Sequence, residues 1–273
     1  MTATETFHLQ LAAAELYEQK FVPAIFAEWA PLLIDAAKIS PGQSVLDVAC
    51  GTGIVARHAA DRLGESGVVV GLDLNEAMLT VARRIRPDID WRQGDAGALP
   101  FPGDSFDSVL CQMALMFFPD RVGALREMGR VAHDGGTVAV VVPGGLAEQP
   151  AYGPFVDVAA RHAGPEAMSL LNAYWSCGDI GGLRALFDSA GLEVVSARTH
   201  TGTAKHASVG AFVATEVEGS PLVDRITPEQ YAGIREDAAR VLRPFTSADG
   251  SVSAPLRGHI VTARKRGPAT SPC

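Results

Sequence analysis

The 273-residue chain is predicted to be an α/β protein: a mostly parallel sheet with helices on both faces, topped by a helical cap. Three observations predict it. Short apolar strands alternate with amphipathic helices between residues 44 and 142. A glycine-rich turn, Gly51-x-Gly53, follows the first strand directly. Acids then stand at the ends of the second and third strands, as Asp73 and Asp95.

The elements follow in order. Residues 6–37 carry no strand signal, and Leu9, Leu11, Leu16, Phe21, Ile25, Phe26, Trp29, Leu32 and Leu33 recur at helical spacing. Pro23 and Pro31 are expected to break this region into two or three helical pieces. Strands are expected near 44–49, 68–73, 89–93, 106–112 and 136–142. Helices fill the gaps near 53–63, 76–86 and 121–132, with Asn75 and Asp120 as N-caps and Gly64 as a stop. A further helix runs from the Asp179 cap to Gly191, followed by strands near 192–198 and 256–264. Thr227-Pro-Glu-Gln230 is a capping box with proline at the first helical position. The expected organisation is an N-terminal helical cap (1–37), a core (38–144), a cap insertion (145–178), more core (179–198), a helical cap insertion (199–254), a final core strand (255–266) and a disordered tail (267–273).

The turn between strand one and the helix is the chemical feature. Without β-carbons at Gly51 and Gly53, a ligand can lie directly on the backbone. Asp73, twenty residues beyond Gly53, can accept both hydroxyls of a ribose. An adenosine-containing cofactor is therefore expected. Gly51-x-Gly53-x-x-Ala56 with Asp73 also satisfies a loose dinucleotide fingerprint. Three features favour another cofactor: Asp47 inside an otherwise apolar strand one, Gln93-Gly-Asp-Ala96 after strand three, and Gln112 closing strand four.

These motifs resemble those of class I S-adenosylmethionine-dependent methyltransferases, whose pattern is D-x-x-C/G-x-G-x-G, an acid after strand two, and G-D-A after strand three. The run Val109–Asp120, then Leu125-Arg-Glu-Met-x-Arg-Val131 and Gly135-Gly136, is similar to the ubiquinone/menaquinone-biosynthesis branch. The resemblance is dense from Tyr17 to Val142. It implies a Rossmann-like sheet of seven strands, the last antiparallel, with S-adenosylmethionine as cofactor and S-adenosylhomocysteine as product. By the same resemblance Asp47 and the backbone of Ala49, Cys50 and Gly51 hold the methionine end. Asp73 takes the ribose, Asp95 and the Ala96 N–H the adenine, and Leu74 and Met78 pack on the adenosine. Gly53, Tyr17 and Gln112 complete the implied cofactor contacts.

Methyl transfer is a displacement at an activated carbon, governed by alignment and exclusion of water, so no protein nucleophile is required. For a phenol or enol acceptor a general base can assist; Tyr17, His8, Tyr152, His162 and His200 are candidates, and none stands out. The cap is rich in apolar and aromatic groups, among them Phe26, Trp29, Met116, Phe155, Met168 and Tyr174. The acceptor-pocket candidates are Met113, Phe117, Phe21, Tyr152 and Trp175, suited to a flat, mostly apolar aromatic or quinone-like acceptor methylated on carbon or oxygen.

Charge and composition bound the partners. The net charge of −8 disfavours nucleic acid and anionic membranes, and Cys111-Gln-Met-Ala114 is not the Asn/Asp-Pro-Pro-aromatic motif of nucleic-acid amino-methylating enzymes. No run of 18 apolar residues and no signal-like leader is visible, so a cytoplasmic protein without membrane contact is expected. The four cysteines lack metal spacing; Cys50 and Cys111 read as buried thiols, and no metal is expected. A homo-oligomer stays open. Two other readings also stay open: an NAD-dependent oxidoreductase, although Tyr17-Glu-Gln-Lys20 fails the Tyr-x-x-x-Lys spacing, and a non-catalytic protein binding S-adenosylmethionine or S-adenosylhomocysteine. The length of segment 198–254 leans towards secondary metabolism rather than the quinone pathway proper.

Overall fold

The structure, a computed structural model, describes residues 10–265 apart from Pro221 and the side chains of residues 166–168. His8, Leu9, the tail and the Met168 side chain, all named above, lie outside the described residues. One sheet organises the chain: β1 (Ser44–Val48), β2 (Val68–Asp73), β3 (Asp90–Gln93), β4 (Phe106–Gln112), β5 (Ala132–Pro143), β6 (Leu192–His206) and β7 (Val252–Lys265). The spatial order is β3-β2-β1-β4-β5-β7-β6. β1 pairs in parallel with both β2 and β4, whereas β7 is antiparallel to β5 and β6. β7 is thus the one strand reversed against the other six. The centre of the sheet is covered on both faces, which is why Val138–Val142 can be continuously apolar and fully buried.

Right-handed crossovers place the helices. Between β1 and β3 the chain advances one way through α3 (Ile54–Leu63) and α4 (Glu76–Ile85), and from β4 onward it advances the other way through α5 (Arg121–Val131). The reversal falls between β1 and β4 and leaves a crevice beyond their C-terminal ends. The capping residues read from sequence act as such. The Asn75 side chain accepts from Ala77 N–H at 2.8 Å, and Asp120 accepts from Gly123 N–H at 2.7 Å. In α8 (Ile180–Ser189), Gly182 N–H donates to Asp179 at 2.7 Å.

The N-terminal region departs from expectation. Pro23 does not break its helix: α1 (Leu11–Leu16) runs on into a π-helical segment, Tyr17–Phe26. The wider turn absorbs the imide, and Ala27 N–H reaches back to Val22 C=O at 2.8 Å. α2 (Trp29–Ala37) starts before Pro31, which sits in its first turn where the N–H would be orphaned anyway. The expected N-terminal cap, residues 1–37, is therefore split. Trp29, Leu33 and Ile34 are fully buried, and α2 packs on β4, β5 and β7 as a core helix. Residues 11–26 alone reach over the strand ends.

β6 and β7 are longer than expected and pair from Leu192↔Lys265 to His206↔Val252, with one register shift between Val194 and Ser196. The insertion set at 199–254 thus shrinks to the residues between these strands. β6 is an edge strand whose Thr199, Thr201 and Thr203 alternate without an apolar face, so its outer half gives no hydrophobic signal. Four helices complete the cap: α6 (Tyr152–Ala163), α7 (Pro165–Asn172), α9 (Val209–Glu218) and α10 (Pro228–Val241), with α6 against α7 and α10, and α10 against α9.

Candidate functional site

The crevice is built by the chain leaving β1. Ala49 (φ 55°), Gly51 (φ 56°) and Gly53 (φ 90°) all adopt left-handed backbone. At the end of β4, beside β1, Met113 does the same at φ 53°. Left-handed alanine and methionine each cost about 1–3 kcal/mol. Such strain persists where the surroundings fix it, and here Cys50 N–H bonds Leu72 C=O at 3.0 Å while Met113 N–H bonds Val141 C=O at 2.8 Å.

Two carboxylates frame the turn. Asp73 accepts from Gly51 N–H at 2.7 Å and from Asn75 N–H at 2.9 Å. Asp47, 1% exposed, accepts from Ala56 N–H at 2.9 Å. Burial pushes the Asp47 carboxyl up to about 8, the Ala56 bond opposing and the Asp73 charge adding to the rise. Asp73 is also raised, by burial, against bonds from Asn75, Gly51 and Leu74. Neither acid has a cationic partner among the described residues. Burial likewise holds the Cys50 thiol well above its ordinary range.

Gly51 and Gly53 have different reasons to be glycine. A β-carbon on Gly53 would stand 2.2 Å from the Trp91 ring, and one on Gly71 would meet the same ring at 2.3 Å. Gly53 therefore admits the β3 indole, a packing role beside the ligand role implied for it. A β-carbon on Gly51 would face the Tyr17 ring at 3.6 Å. Tyr17 lies over the turn, stacked with Phe21 at 5.7 Å and Phe26 at 5.3 Å between ring centres, and burial beside Asp73 raises its hydroxyl. The π-helical segment thus covers the crevice, and surface hollows open instead around Lys38, Asp107 and His133, at the opposite ends of the strands.

The other implied cofactor residues line the same edge. Leu74 is 50% exposed next to Asp73. Met78 is buried with Ala14 and Val81, against Tyr17. Asp95 is exposed and accepts from Gly97 N–H at 2.8 Å, and Ala96 beside it is buried. Gln112 donates to Phe26 C=O at 3.1 Å, while its Oε1, like Thr52 Oγ1 in the turn, is buried without a partner. This donor set fits an adenosine bearing an ammonium: carboxylates for the cation and the diol, an apolar side chain for the base, and orphaned polar atoms within the turn.

A second cluster lies beyond β4. Tyr152, buried on α6, meets Trp175 at 5.1 Å and Phe212 at 5.2 Å. Tyr174 meets Trp175 at 5.0 Å and Phe117 at 6.0 Å. Of the acceptor-pocket candidates, Tyr152 and Trp175 touch, Phe117 joins them through Tyr174, Phe21 stacks on Tyr17, and Met113 is buried at the β4 terminus. The hydroxyls of Tyr152 and Tyr174 are buried without partners. Sequence reading passed over Phe212 and Glu216. The one available signal was an acid in the apolar run Phe212-Val-Ala-Thr-Glu-Val217. Two base candidates stand elsewhere: His162 bonds Asp237 at 2.9 Å, and His200 lies edge-on to Trp29 at 5.5 Å.

Among the described residues no cluster of side chains could hold a metal ion, and no helix is long and apolar enough to cross a membrane. A family model described as a methyltransferase domain matches residues 46–140. The demethylmenaquinone methyltransferase of Renibacterium salmoninarum is 44% identical over 131 residues, 48% of this chain and 52% of the relative. That of Lysinibacillus sphaericus is 35% identical over 186 residues, 63% of this chain and 79% of the relative. The chain spans about half the length of most of the curated relatives it matches. Among solved structures, YcgJ of Bacillus subtilis superposes with a TM-score of 0.61 at 21% identity, over 88% of this chain and 99% of that one, and shares the fold.

Proposed function

The chain belongs to the class I S-adenosylmethionine-dependent methyltransferases of the quinone-biosynthesis branch, and on that premise we propose that it methylates a small, largely apolar aromatic or quinone-like acceptor on carbon or oxygen. The observation that carries this reading is the pair Asp47, buried, and Asp73, partly buried, around a turn in which Gly51 and Gly53 lack β-carbons, with no cation of their own among the described residues. The names of the relatives point the acceptor towards quinone-type rings, and the aromatic cluster beyond β4 suits such a ring.

When bound, S-adenosylmethionine supplies a methyl group on a cationic sulfonium. The residues of this chain bind, orient and exclude water. Asp47, ionised opposite an ammonium, holds the methionine end with the backbone of Ala49–Gly51. Asp73 keeps lone pairs for ribose hydroxyls beyond those it gives to Gly51 and Asn75. Leu74 and Met78 offer apolar contact, and Asp95 with the Ala96 N–H addresses the base. The Tyr17–Phe26 segment closes over the turn and keeps water from the reacting line.

Calorimetric titration with S-adenosylmethionine, S-adenosylhomocysteine and NADH, repeated with Asp73→Ala, tests the cofactor. Micromolar binding of both sulfur ligands, lost in the variant, is expected. Binding of NADH alone would overturn the reading. Turnover with naphthohydroquinone tests the acceptor class and separates an enzyme from a cofactor-binding protein.

A further inference from the structure

One face of α9 carries Phe212 and Glu216, four residues apart, and Gly219 follows three residues later as the helix cap. Phe212 packs on the Tyr152 ring. At the other end a β-carbon on Gly219 would stand 2.4 Å from the Phe21 ring, so the glycine lets the π-helical segment seat against α9. Glu216 lies between these contacts along the chain, one helical turn from Phe212, and is partly buried, close enough for its charge to act on Tyr152 and Tyr174. Its carboxyl makes no hydrogen bond or ion pair among the described residues. The charge of Glu216 opposes ionisation of Tyr152 and of Tyr174, and Tyr174 also responds to Tyr17 over the cofactor turn. Three polar groups around the cluster are buried without a partner, the Tyr152 and Tyr174 hydroxyls and Gln112 Oε1, and the charge of the partly buried Glu216 reaches both tyrosines. Buried polar groups are normally paired, and each orphan costs free energy. A shared ligand with its own hydroxyl or carbonyl would pair them.

We propose that Glu216, with the hydroxyls of Tyr152 and Tyr174, forms the polar end of the acceptor pocket, and that its carboxylate takes the acceptor's hydroxyl proton during methyl transfer. The inference rests on the methyltransferase reading above. The acceptor O–H bond breaks and its proton passes to a Glu216 oxygen. The freed electron pair forms the bond to the methyl carbon either from oxygen or, through the ring, from the adjacent carbon. The electron pair of the sulfur–methyl bond stays on sulfur. When a ring carbon is methylated, its hydrogen leaves to solvent as a proton and aromaticity returns. Burial raises the Glu216 carboxyl to about 8, within range for accepting a proton from a phenol near neutrality. The cationic sulfonium favours the carboxylate form. The titratable groups that its charge reaches are Tyr152 from α6 and Tyr174 from the turn after α7. His206, edge-on to Phe212 at 5.0 Å, is kept neutral by burial, its pKa lowered to about 4.

The test compares wild type, Glu216→Gln, Glu216→Asp and the double variant Tyr152→Phe/Tyr174→Phe. All are first titrated with S-adenosylhomocysteine, and binding within about twofold of wild type is expected, since none of these residues is assigned to the cofactor. In its presence, para-nitrophenol reports its own ionisation by its visible band. A carboxylate beside it keeps bound nitrophenol neutral to higher pH, so its apparent pKa is expected about one unit higher in wild type than in Glu216→Gln. Turnover of naphthohydroquinone is expected to fall at least about tenfold in Glu216→Gln with loss of the alkaline rise, and to recover partly in Glu216→Asp. The double variant is expected to weaken nitrophenol binding about fivefold or more, which keeps the proposal open to failure if a Glu216 variant does not fold. Nitrophenol titrating alike in wild type and Glu216→Gln would overturn the proposal. So would tighter binding of naphthylmethylammonium than of nitrophenol, lost in Glu216→Gln, because the carboxylate would then serve a cationic amine. Failure of nitrophenol to bind a wild type that binds S-adenosylhomocysteine overturns the pocket alone. Failure to bind S-adenosylhomocysteine overturns the methyltransferase reading beneath it.

Discussion

Replacing Asp47 by asparagine should make the free protein more stable in alkali and a poorer cofactor binder. The carboxyl is 1% exposed and its pKa is raised from 3.8 to about 8. Between those two values the folded state holds a proton that the unfolded chain has released. The unfolded state binds fewer protons there, so stability falls as pH rises through that window and levels off above it. Four units at 1.36 kcal/mol each set a ceiling of about 5–6 kcal/mol, and relaxation with water entry leaves about 2–3 kcal/mol as the working figure. The amide oxygen of the introduced asparagine can still accept from Ala56 N–H, as Asp47 does at 2.9 Å, but the amide has no charge to bury. Urea unfolding of wild type and Asp47→Asn at about pH 4, 6.5 and 9 isolates the effect. The two should be of similar stability at the lowest pH, with the variant gaining by about 2–3 kcal/mol at the highest. Ligand binding adds an independent check. An ammonium opposite Asp47 ionises it, so at about pH 7 the wild type should release close to one proton per S-adenosylmethionine, and the variant markedly less. Parallel stability curves, or equal proton release, would refute both the burial of an unpaired acid and its role towards the cofactor.

Three further outcomes are expected. Asp73→Ala removes an acceptor bonded to Gly51 N–H at 2.7 Å and to Asn75 N–H at 2.9 Å; S-adenosylhomocysteine affinity should fall at least about tenfold to hundredfold by calorimetry, and an unchanged affinity would place the ribose elsewhere. Gly53→Ala combines a left-handed φ of 90° with a β-carbon 2.2 Å from the Trp91 ring; a loss of about 2–4 kcal/mol is expected, falling in a Trp91→Leu background, and an undiminished loss there would assign the cost to the backbone alone. Tyr17→Ala should uncover the turn: amide exchange across residues 11–26 is expected to quicken without cofactor and to slow again with S-adenosylhomocysteine, whereas exchange indifferent to both would show that the segment is no lid.

How far the sequence could be read follows from where apolar periodicity survives. β1, β2, β4 and β5 are buried on both sides, so their residues are near-continuous valine and leucine, and their limits were legible to within a residue or two at most ends. The start of β5 was not: it begins at Ala132, before the apolar run, because a register shift between Phe106 and Ser108 lets the polar residues 133–136 bulge out of the pairing. The caps Asn75, Asp120, Asp179 and Thr227 were legible because each is a local rule between a side chain and a nearby N–H. The outer half of β6 follows no such rule; its strand state is enforced by β7 alone. The π-helix was illegible for a related reason. Pro23 signals a break, and only packing against the strand ends makes a widened helix preferable. Within the site, the charged and glycine positions of the turn could be located from spacing. Glu216 could not, because its meaning depends on which face of α9 meets Tyr152, and that is settled by tertiary packing.

The π-helical segment joins the two halves of the site mechanically. Tyr17 lies on the Gly51 turn, Phe21 fills the space left by Gly219 on α9, and the Phe26 carbonyl accepts from Gln112 at the end of β4. These three contacts belong to the cofactor turn, the cap and the switch-point strand. All are made by one segment of ten residues. Lifting it would break them together, so on the proposed reading cofactor turn and acceptor pocket would open and close as one. The segment carries a helix form that holds poorly without packing, since its geometry departs from the α-helix around a proline. The left-handed residues Ala49 and Met113 stand just beyond the ends of the two adjacent strands β1 and β4. On the proposed reading, a lid seated on both ligand sites at once, over a backbone already turned out of the sheet, would commit the enclosure to a two-ligand complex. On that reading a cofactor alone would leave the Tyr152 and Tyr174 hydroxyls unpaired, and an acceptor alone would leave Asp47 without a cation. Full satisfaction of the buried polar groups would then require both ligands, a requirement that would favour closure around the pair over closure around either one.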